Sequence, residues 1–229
     1  MVNQKKECKK RNAKKINEGA ESVIYSATFL GTDSIIKDRI AKQYREKALD
    51  KLLRYQRTKK EAKILSIASS IINAPKLLFI EKYRIFIEKL NGKNLNKILE
   101  FVENSNKNSS QNNRLKNSIN LNAVFKKIGK SIAILHNNNI VHGDFTPANI
   151  IVNNNEVFVI DFGLSDISSM IEDKAIDILL MKRAIDADYY NIFINSYKQN
   201  ANDALFIIKR LEKIEKRGRY QERTLININ

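Results

Sequence analysis

His142-Gly143-Asp144-Phe145-Thr146-Pro147-Ala148-Asn149 reads as a tight loop that carries a carboxylate and, five residues on, a carboxamide. An apolar run, Val157-Phe158-Val159-Ile160, then delivers a second carboxylate, Asp161, with Phe162-Gly163 behind it. Groups of this kind in this order suit phosphoryl transfer, where the protein chiefly positions the reactants and neutralises charge. Asp144 can accept the hydrogen bond of an attacking hydroxyl or water. Asn149 and Asp161 are hard oxygen ligands of the sort Mg²⁺ takes.

The spacing follows the protein kinase signature, an Asp with an Asn five residues later and then Asp-Phe-Gly, so the rest of the chain is read against the other kinase parts. Upstream, Gly19-Ala20-Glu21-Ser22 joins Lys14 to Asn17 with the β-rich run Val23 to Phe29, which predicts a hairpin. In a kinase this turn covers the ATP phosphates and carries three glycines; here only Gly19 is available. A strand over Ser34 to Lys37 ends in a lysine placed to contact the α- and β-phosphates. From Tyr44 to Ser69, Leu49, Leu52, Leu53, Ala62, Ile64, Leu65 and Ala68 recur at helical spacing amid Lys and Arg, predicting one or two amphipathic helices. Glu61 on that segment is the candidate brace for Lys37. Leu77–Ile80 and Ile85–Ile87 form a hairpin, and backbone groups near Glu88 and Leu90 then stand where an adenine ring would meet the chain.

A short helix is expected from Lys93 to Phe101, then a flexible Asn- and Ser-rich loop over about residues 103–122. Leu121 to Leu135 carry a helical apolar stripe, closed by Asn137-Asn138-Asn139 and leading straight into the opening loop. Ile150-Ile151-Val152 and Val157 to Ile160 make the hairpin that presents Asp161. Beyond Gly163 no long activation segment appears, and three helical stretches, about residues 171–187, 188–199 and 202–216, complete the chain.

At 229 residues, 43% apolar and 29% charged, the composition is that of a globular chain able to bury a core. No apolar run reaches the roughly 18 residues of a membrane span, and the basic start, Met1 to Lys15, has no apolar centre, so neither a membrane span nor a secretory signal is expected. The single cysteine, Cys8, excludes an intrachain disulfide. Lys and Arg number 41 against 25 Asp and Glu, a net charge of +16 that favours polyanionic partners, nucleic acid first. The basic residues group at Lys5 to Lys15, Lys37 to Lys63 and Lys209 to Arg223.

With these residues in hand, the sequence resembles the small atypical kinases of the PRPK type, the kinase-like subunit of the KEOPS tRNA-modification complex. The resemblance is carried by Gly19-Ala20-Glu21, Ile36-Lys37, Arg57 to Ala62, His142 to Thr146, Asp161 to Leu164, Glu172-Asp173-Lys174-Ala175-Ile176-Asp177 and Arg217-Gly218-Arg219-Tyr220. The acidic-Lys-Ala segment directly after Asp-Phe-Gly and the Arg-Gly-Arg-Tyr segment are its specific parts. It implies Lys37 on the ATP phosphates with Glu61 as partner, Asp144 as catalytic base, Asn149 and Asp161 on Mg²⁺, and Asp177 as a structural carboxylate behind the catalytic loop. Thr146 stands where most protein kinases have a lysine, a substitution this family shares. Phe145 and Pro147-Ala148 vary the family's usual Leu and Thr-Ser without touching a ligand position. By resemblance, the partners would be a threonylcarbamoyl-transferase subunit, other KEOPS subunits and tRNA, in the cytoplasm.

The expectation is therefore an α+β, minimal bilobal protein-kinase-like fold with a small β-rich N-lobe over about 14–88 and a reduced helical C-lobe over about 92–216, lacking a long activation segment. Basic tails would flank it at 1–13 and 217–229. The catalytic set is Asp144, Lys37, Asn149 and Asp161; Gly19, Ala20, Glu21, Ser22, Lys37, Glu61, Glu88 and Leu90 would hold ATP. Two other functions share parts of this pattern. Small-molecule kinases of the aminoglycoside or choline type carry His-Gly-Asp and the later Asn, but usually follow the second Asp with Trp or an acidic residue and have a larger C-terminal lobe. A catalytically idle RNA-binding scaffold would leave metal and base positions degraded, whereas here each is filled by a competent residue.

Overall fold

The computed structural model describes residues 13–107 and 119–226. Cys8, most of the first basic cluster, the middle of the Asn- and Ser-rich stretch, and the side chains of Arg219 and Tyr220 lie outside the described residues. The chain divides into two compact units, Met1–Ala62 with Lys76–Lys89, and Lys63–Pro75 with Leu90–Asn229.

The first unit is built on an antiparallel sheet in the order β1-β2-β3-β5-β4. Its strands are β1 (Lys14–Glu18), β2 (Ser22–Phe29), β3 (Thr32–Arg39), β4 (Leu77–Ile80) and β5 (Arg84–Glu88). Period-2 alternation turns Ser34 and Ile36 of β3 inward, and Val23, Ile85 and Phe86 join Ile36 in the core. Phe29, Phe79 and Phe86 pack with ring centroids 5.0 to 5.8 Å apart. Leu30 and Gly31, both with positive φ, turn β2 into β3 as a two-residue hairpin.

One continuous helix, α1 (Lys47–Ile71), covers the segment expected to hold one or two. Ala, Leu, Lys, Arg and Glu dominate it, all strong helix formers. Thr58, Glu61, Ala62, Leu65 and Ala68 are its buried stripe, at the three- and four-residue spacing of a single face. Glu46 caps its start, accepting from the amides of Ala48 and Leu49 at 2.9 and 2.7 Å. The helix has ended before Pro75, a residue incompatible with its continuation.

The second unit is helical, with α2 (Leu95–Lys107), α3 (Leu121–Asn137), α4 (Ile171–Ala184), α5 (Ala187–Asn200) and α6 (Ala204–Ile226). Short strands complete it: β6 (Lys93–Asn94), β7 (Ile140–Val141), β8 (Ile150–Asn153), β9 (Glu156–Val159) and β10 (Asp166–Ile167). Its core gathers Phe125, Ile128, Ile132 and Leu135 of α3, Phe193 and Tyr197 of α5, Ile178 and Met181 of α4, and Ile207 and Leu211 of α6. At Gly129 helices α3 and α5 approach so closely that a Cβ would collide with the Phe193 carbonyl and lie 2.9 Å from Ser196 Cβ. Asn120 caps α3 by accepting from the Ala123 amide at 3.1 Å, and Asn139, at φ 56°, breaks the chain away after it.

Three expectations about segment ends are corrected. Helix α2 runs on to Lys107, through residues expected to be loop, because Leu95, Ile98, Leu99 and Val102 continue one apolar face. Lys93 and Asn94, expected to open that helix, instead pair with Val152 and Ile151 of β8. Helix α6 continues past Lys216 to Ile226, so the segment expected as a basic tail is helical over most of its length. Glu, Arg, Lys and Leu propensity sustains it across Gly218.

Candidate active site

In the second unit the site begins with a buried carboxylate. Asp177, on α4, is fully buried and accepts the amides of His142 at 2.6 Å and Gly143 at 2.8 Å. The acidic-Lys-Ala segment therefore supports the opening loop from behind, as the resemblance implied for Asp177. Gly143 takes φ 79°, and a Cβ there would lie 2.5 Å from the Leu164 carbonyl oxygen, so only glycine fits this bend. His142 packs between Phe145 and Phe162, at 5.6 and 5.1 Å between ring centroids. Its Nδ1 accepts from the Asp144 amide at 3.3 Å, and Nε2 donates to the Ile160 carbonyl at 3.0 Å, which fixes the tautomer. One ring thus ties the amide of Asp144 to the residue before Asp161.

Asp144 and Asn149 meet directly. The Asn149 Nδ2 donates to both the carbonyl and the Oδ2 of Asp144, each at 2.8 Å. With the amide nitrogen committed there, Asn149 Oδ1 is the atom left for a cation. The Ile160 amide donates to the Asn149 carbonyl at 2.9 Å, and Ile150 pairs with Val159 across the β8–β9 hairpin. These bonds bring Asn149 beside the start of Asp161. The hairpin turns on Asn154 and Asn155, both left-handed, the conformation a two-residue turn demands. Asp161 itself holds φ 60°, rare for a residue with a side chain, and its Oδ1 accepts the Gly163 amide at 3.1 Å.

Among the described residues no three of His, Cys, Asp and Glu converge on one point. One amide oxygen and one carboxylate fit Mg²⁺, which retains waters and binds through few protein oxygens.

Behind this layer lies a pair that motif reading alone missed. His136, buried at the end of α3, places Nε2 3.2 Å from Asp177 Oδ2 and Nδ1 2.8 Å from the Tyr197 hydroxyl. Burial pushes its pKa below the ordinary histidine value, against the opposing pull of Asp177. Burial likewise raises the Tyr197 hydroxyl far above its usual range. The signal was the position of His136 at the end of an apolar stripe, which does not say what it faces.

The first unit holds the remaining candidates. Lys37 Nζ and Glu61 Oε1 lie 2.7 Å apart, with side chains 11% and 3% exposed, so the expected brace is formed. Arg39 takes the other Glu61 oxygen at 2.5 Å and reaches Glu21 at 3.3 Å. In the turn, the Gly19 amide donates to the Ser22 carbonyl at 2.9 Å. A Cβ on Gly19 would meet nothing nearer than 3.7 Å, so the turn does not depend on glycine there. Ala20 is exposed and Ser22 buried against the sheet. The Arg57 guanidinium, bonded to Glu21, holds that carboxyl below the usual range. Glu88 ends β5 with its carboxylate on the Lys76 amide at 3.3 Å, and Leu90, half-buried, opens the second unit.

The chain matches the protein kinase domain family over residues 11–189. It is 35% identical, across 90% of its length, to a probable bifunctional tRNA threonylcarbamoyladenosine biosynthesis protein of Methanococcus vannielii, of which it covers 36%. It is 32% identical to KEOPS complex subunit Bud32 of Pyrococcus abyssi, over 93% of this chain and 99% of that one. Identity to EKC/KEOPS complex subunit bud32 of Dictyostelium discoideum is 28%, over 89% of this chain and 82% of the relative. The chain thus spans little more than a third of the bifunctional relatives and nearly all of the Pyrococcus abyssi one. Among solved structures, the Rio2 kinase-ADP/Mg²⁺-phosphoaspartate complex from Chaetomium thermophilum shares the fold, with a TM-score of 0.56 at 14% identity, over 90% of this chain and 70% of that one.

Proposed function

Because this chain belongs to the protein kinase domain family, and within it to the Bud32 group, we propose that it is an atypical Ser/Thr kinase with ATPase activity that uses Mg-ATP to support threonylcarbamoyl-adenosine formation in tRNA. The observation that carries this reading is the Asp177 carboxylate, which receives both amides of the His142-Gly143 bend and so sets the backbone from which Asp144 projects. Asp144 Oδ2, oriented by Asn149, accepts the hydrogen bond of the attacking hydroxyl or water. Asn149 Oδ1 and Asp161 would hold Mg²⁺, which when bound would supply charge neutralisation at the phosphates. Lys37, steadied by Glu61, contacts the α- and β-phosphates, while the Gly19 to Ser22 turn covers them and backbone near Glu88 and Leu90 receives the adenine. Thr146 in place of a lysine leaves the phosphates one cation fewer, which favours slow turnover.

The bifunctional relative is named for two functions, and this chain aligns with 36% of it. Membership of the Bud32 group supports a threonylcarbamoyl-transferase subunit and other KEOPS subunits as its partners. The net charge of +16 suits tRNA as the further partner. Among the described residues no helix is long and apolar enough to cross a membrane, and a role in tRNA modification supports a cytoplasmic location.

The test is ATP turnover and self-phosphorylation with Mg²⁺, in wild type and Asp161→Ala, together with recovery of partners from the native source. Asp161→Ala is expected to abolish both reactions, and a threonylcarbamoyl transferase is expected to co-purify. Undiminished turnover in the variant would remove the assigned metal site.

A further inference from the structure

Arg39 has no counterpart among the residues assigned above, yet it touches two of them. Alternation along β3 puts Lys37 and Arg39 on one face, and both reach the same carboxylate. Glu61 gives Oε1 to Lys37 at 2.7 Å and Oε2 to Arg39 at 2.5 Å. The second arm of the Arg39 guanidinium lies 3.3 Å from Glu21 Oε2. Glu21 Oε1 is bonded by Arg57, and Arg45 lies 3.6 Å from it. Arg57 and Glu61 stand four residues apart on α1 and therefore share a face. The backbone repeats the connection: Ser22 is the register partner of Arg39, and the Ile40 amide donates to the Glu21 carbonyl at 3.3 Å.

This network answers two problems posed by the turn sequence. A turn with one glycine has little freedom to fold its amides around an anion, and Glu21 adds a negative charge that phosphates would repel. The arginines draw that carboxylate onto the sheet and α1. The planar guanidinium fork offers donors to both carboxylates in fixed directions, which a rotating lysine ammonium does not. With side chains 5% and 3% exposed, Arg39 and Glu61 meet largely out of water, where the bond holds geometry firmly; Glu21, on the other arm, is partly exposed.

Resting on the ATP-site reading above, we propose that Arg39 is a positioning residue that locks the Glu21 turn to the Lys37–Glu61 pair, so that ion pairs supply the order a glycine-rich loop otherwise obtains on closing over nucleotide.

The experiment measures steady-state Mg-ATP hydrolysis and direct binding of a fluorescent ATP analogue by the 229-residue chain. Wild type is compared with Arg39→Met, Arg39→Lys, Glu21→Ala and the Arg39→Met/Glu21→Ala double variant, with Lys37→Met and Asp161→Ala as references. Arg39→Met is expected to raise the KM for ATP about tenfold, equivalent to roughly 1.4 kcal/mol, with kcat little changed. Arg39→Lys recovers only part of the loss. Glu21→Ala also raises KM, and the double variant is no worse than Arg39→Met alone, as for two residues acting through one contact. Glu21 is 39% exposed, so its variant carries the test if Arg39→Met fails to fold. A fall in kcat at constant KM is what a merely destabilised fold gives, and it would overturn the proposal. So would wild-type KM in Arg39→Met and Glu21→Ala beside an impaired Lys37→Met, or losses that multiply in the double variant. Full activity in Lys37→Met and Asp161→Ala would instead overturn the ATP-site reading, and the role of Arg39 with it.

Discussion

Replacing Asp177 by asparagine removes no atom from the core, so its cost measures the hydrogen bonds alone. The carboxylate accepts three: Gly143 N on Oδ1, and His142 N and His136 Nε2 on Oδ2. Asparagine offers one oxygen and one NH₂. Whichever way the amide is turned, its NH₂ faces a backbone N–H that can no longer be accepted. If the NH₂ replaces Oδ2, His136 can change tautomer and accept from it, donating in turn to Tyr197, but the His142 amide stays orphaned. If it replaces Oδ1, the Gly143 amide is orphaned instead. One unpaired donor costs about 1–3 kcal/mol, and each surviving bond loses its charged partner, about 0.5–1 kcal/mol more. The sum is roughly 2–5 kcal/mol, a large share of the stability of an ordinary domain. For a chain of this length that lowers Tm by roughly 5–20 °C. Thermal and urea denaturation measure it, with ATP turnover on the same samples. Asp177→Asn is expected to melt early and, below its melting temperature, to turn over far more slowly, because the His142-Gly143 bend that sets Asp144 has lost an anchor. A stability loss under about 1 kcal/mol, or wild-type kcat in folded protein, would refute the argument.

Three further outcomes follow from other parts of the molecule. Burial depresses the His136 pKa, so the unfolded chain binds the proton first: the stabilisation is complete above the unfolded value near 6.5 and is lost as pH falls through the folded value. Unfolding free energies from urea titrations, measured downward from neutral pH, should fall by at most about 1.4 kcal/mol per pH unit from this group, and His136→Gln should flatten that dependence. Gly129→Ala puts a methyl against the Phe193 carbonyl and Ser196, and should cost about 1–3 kcal/mol in denaturant unfolding as α3 and α5 are pushed apart. Binding of tRNA, alone or in complex, should weaken at least tenfold between about 50 and 200 mM salt in a filter-binding assay; affinity indifferent to salt would exclude phosphate contacts.

The parts of the site legible in the sequence are those whose chemistry is local. His142 to Asn149, the apolar run into Asp161, and the Asn154-Asn155 turn between them each carry their own signal, since loop length and turn residues fix the hairpin. Lys37 and Glu61 were joined by position in a known plan, and they meet at 2.7 Å. Arg39 escaped because a basic residue ending a strand ordinarily faces water, and nothing in its neighbours reveals the two carboxylates it faces. His136 and Tyr197, far apart in the chain, become partners only through the packing of α3 on α5. Helix ends were the weakest readings for a related reason. The Asn and Ser content after Phe101 signals a loop, while the apolar face begun at Leu95 still has a core to cover, and burial decides in favour of the helix.

The short pairing of Asp166 and Ile167 with Val141 and Ile140 has a consequence for control. Kinases with a long segment after Asp-Phe-Gly leave it mobile, and a phosphate or ligand must then supply the free energy that orders it. That ordering costs about 1–2 kcal/mol of conformational entropy per residue, and this cost is what makes such a segment a throttle. Here the chain goes from Gly163 to α4 through a two-residue ladder, with the Ser168 amide on the Asn139 carbonyl at 2.8 Å. That entropy is lost once, when the protein folds, so ordering this segment is not left as a separate step for a phosphate or ligand to drive.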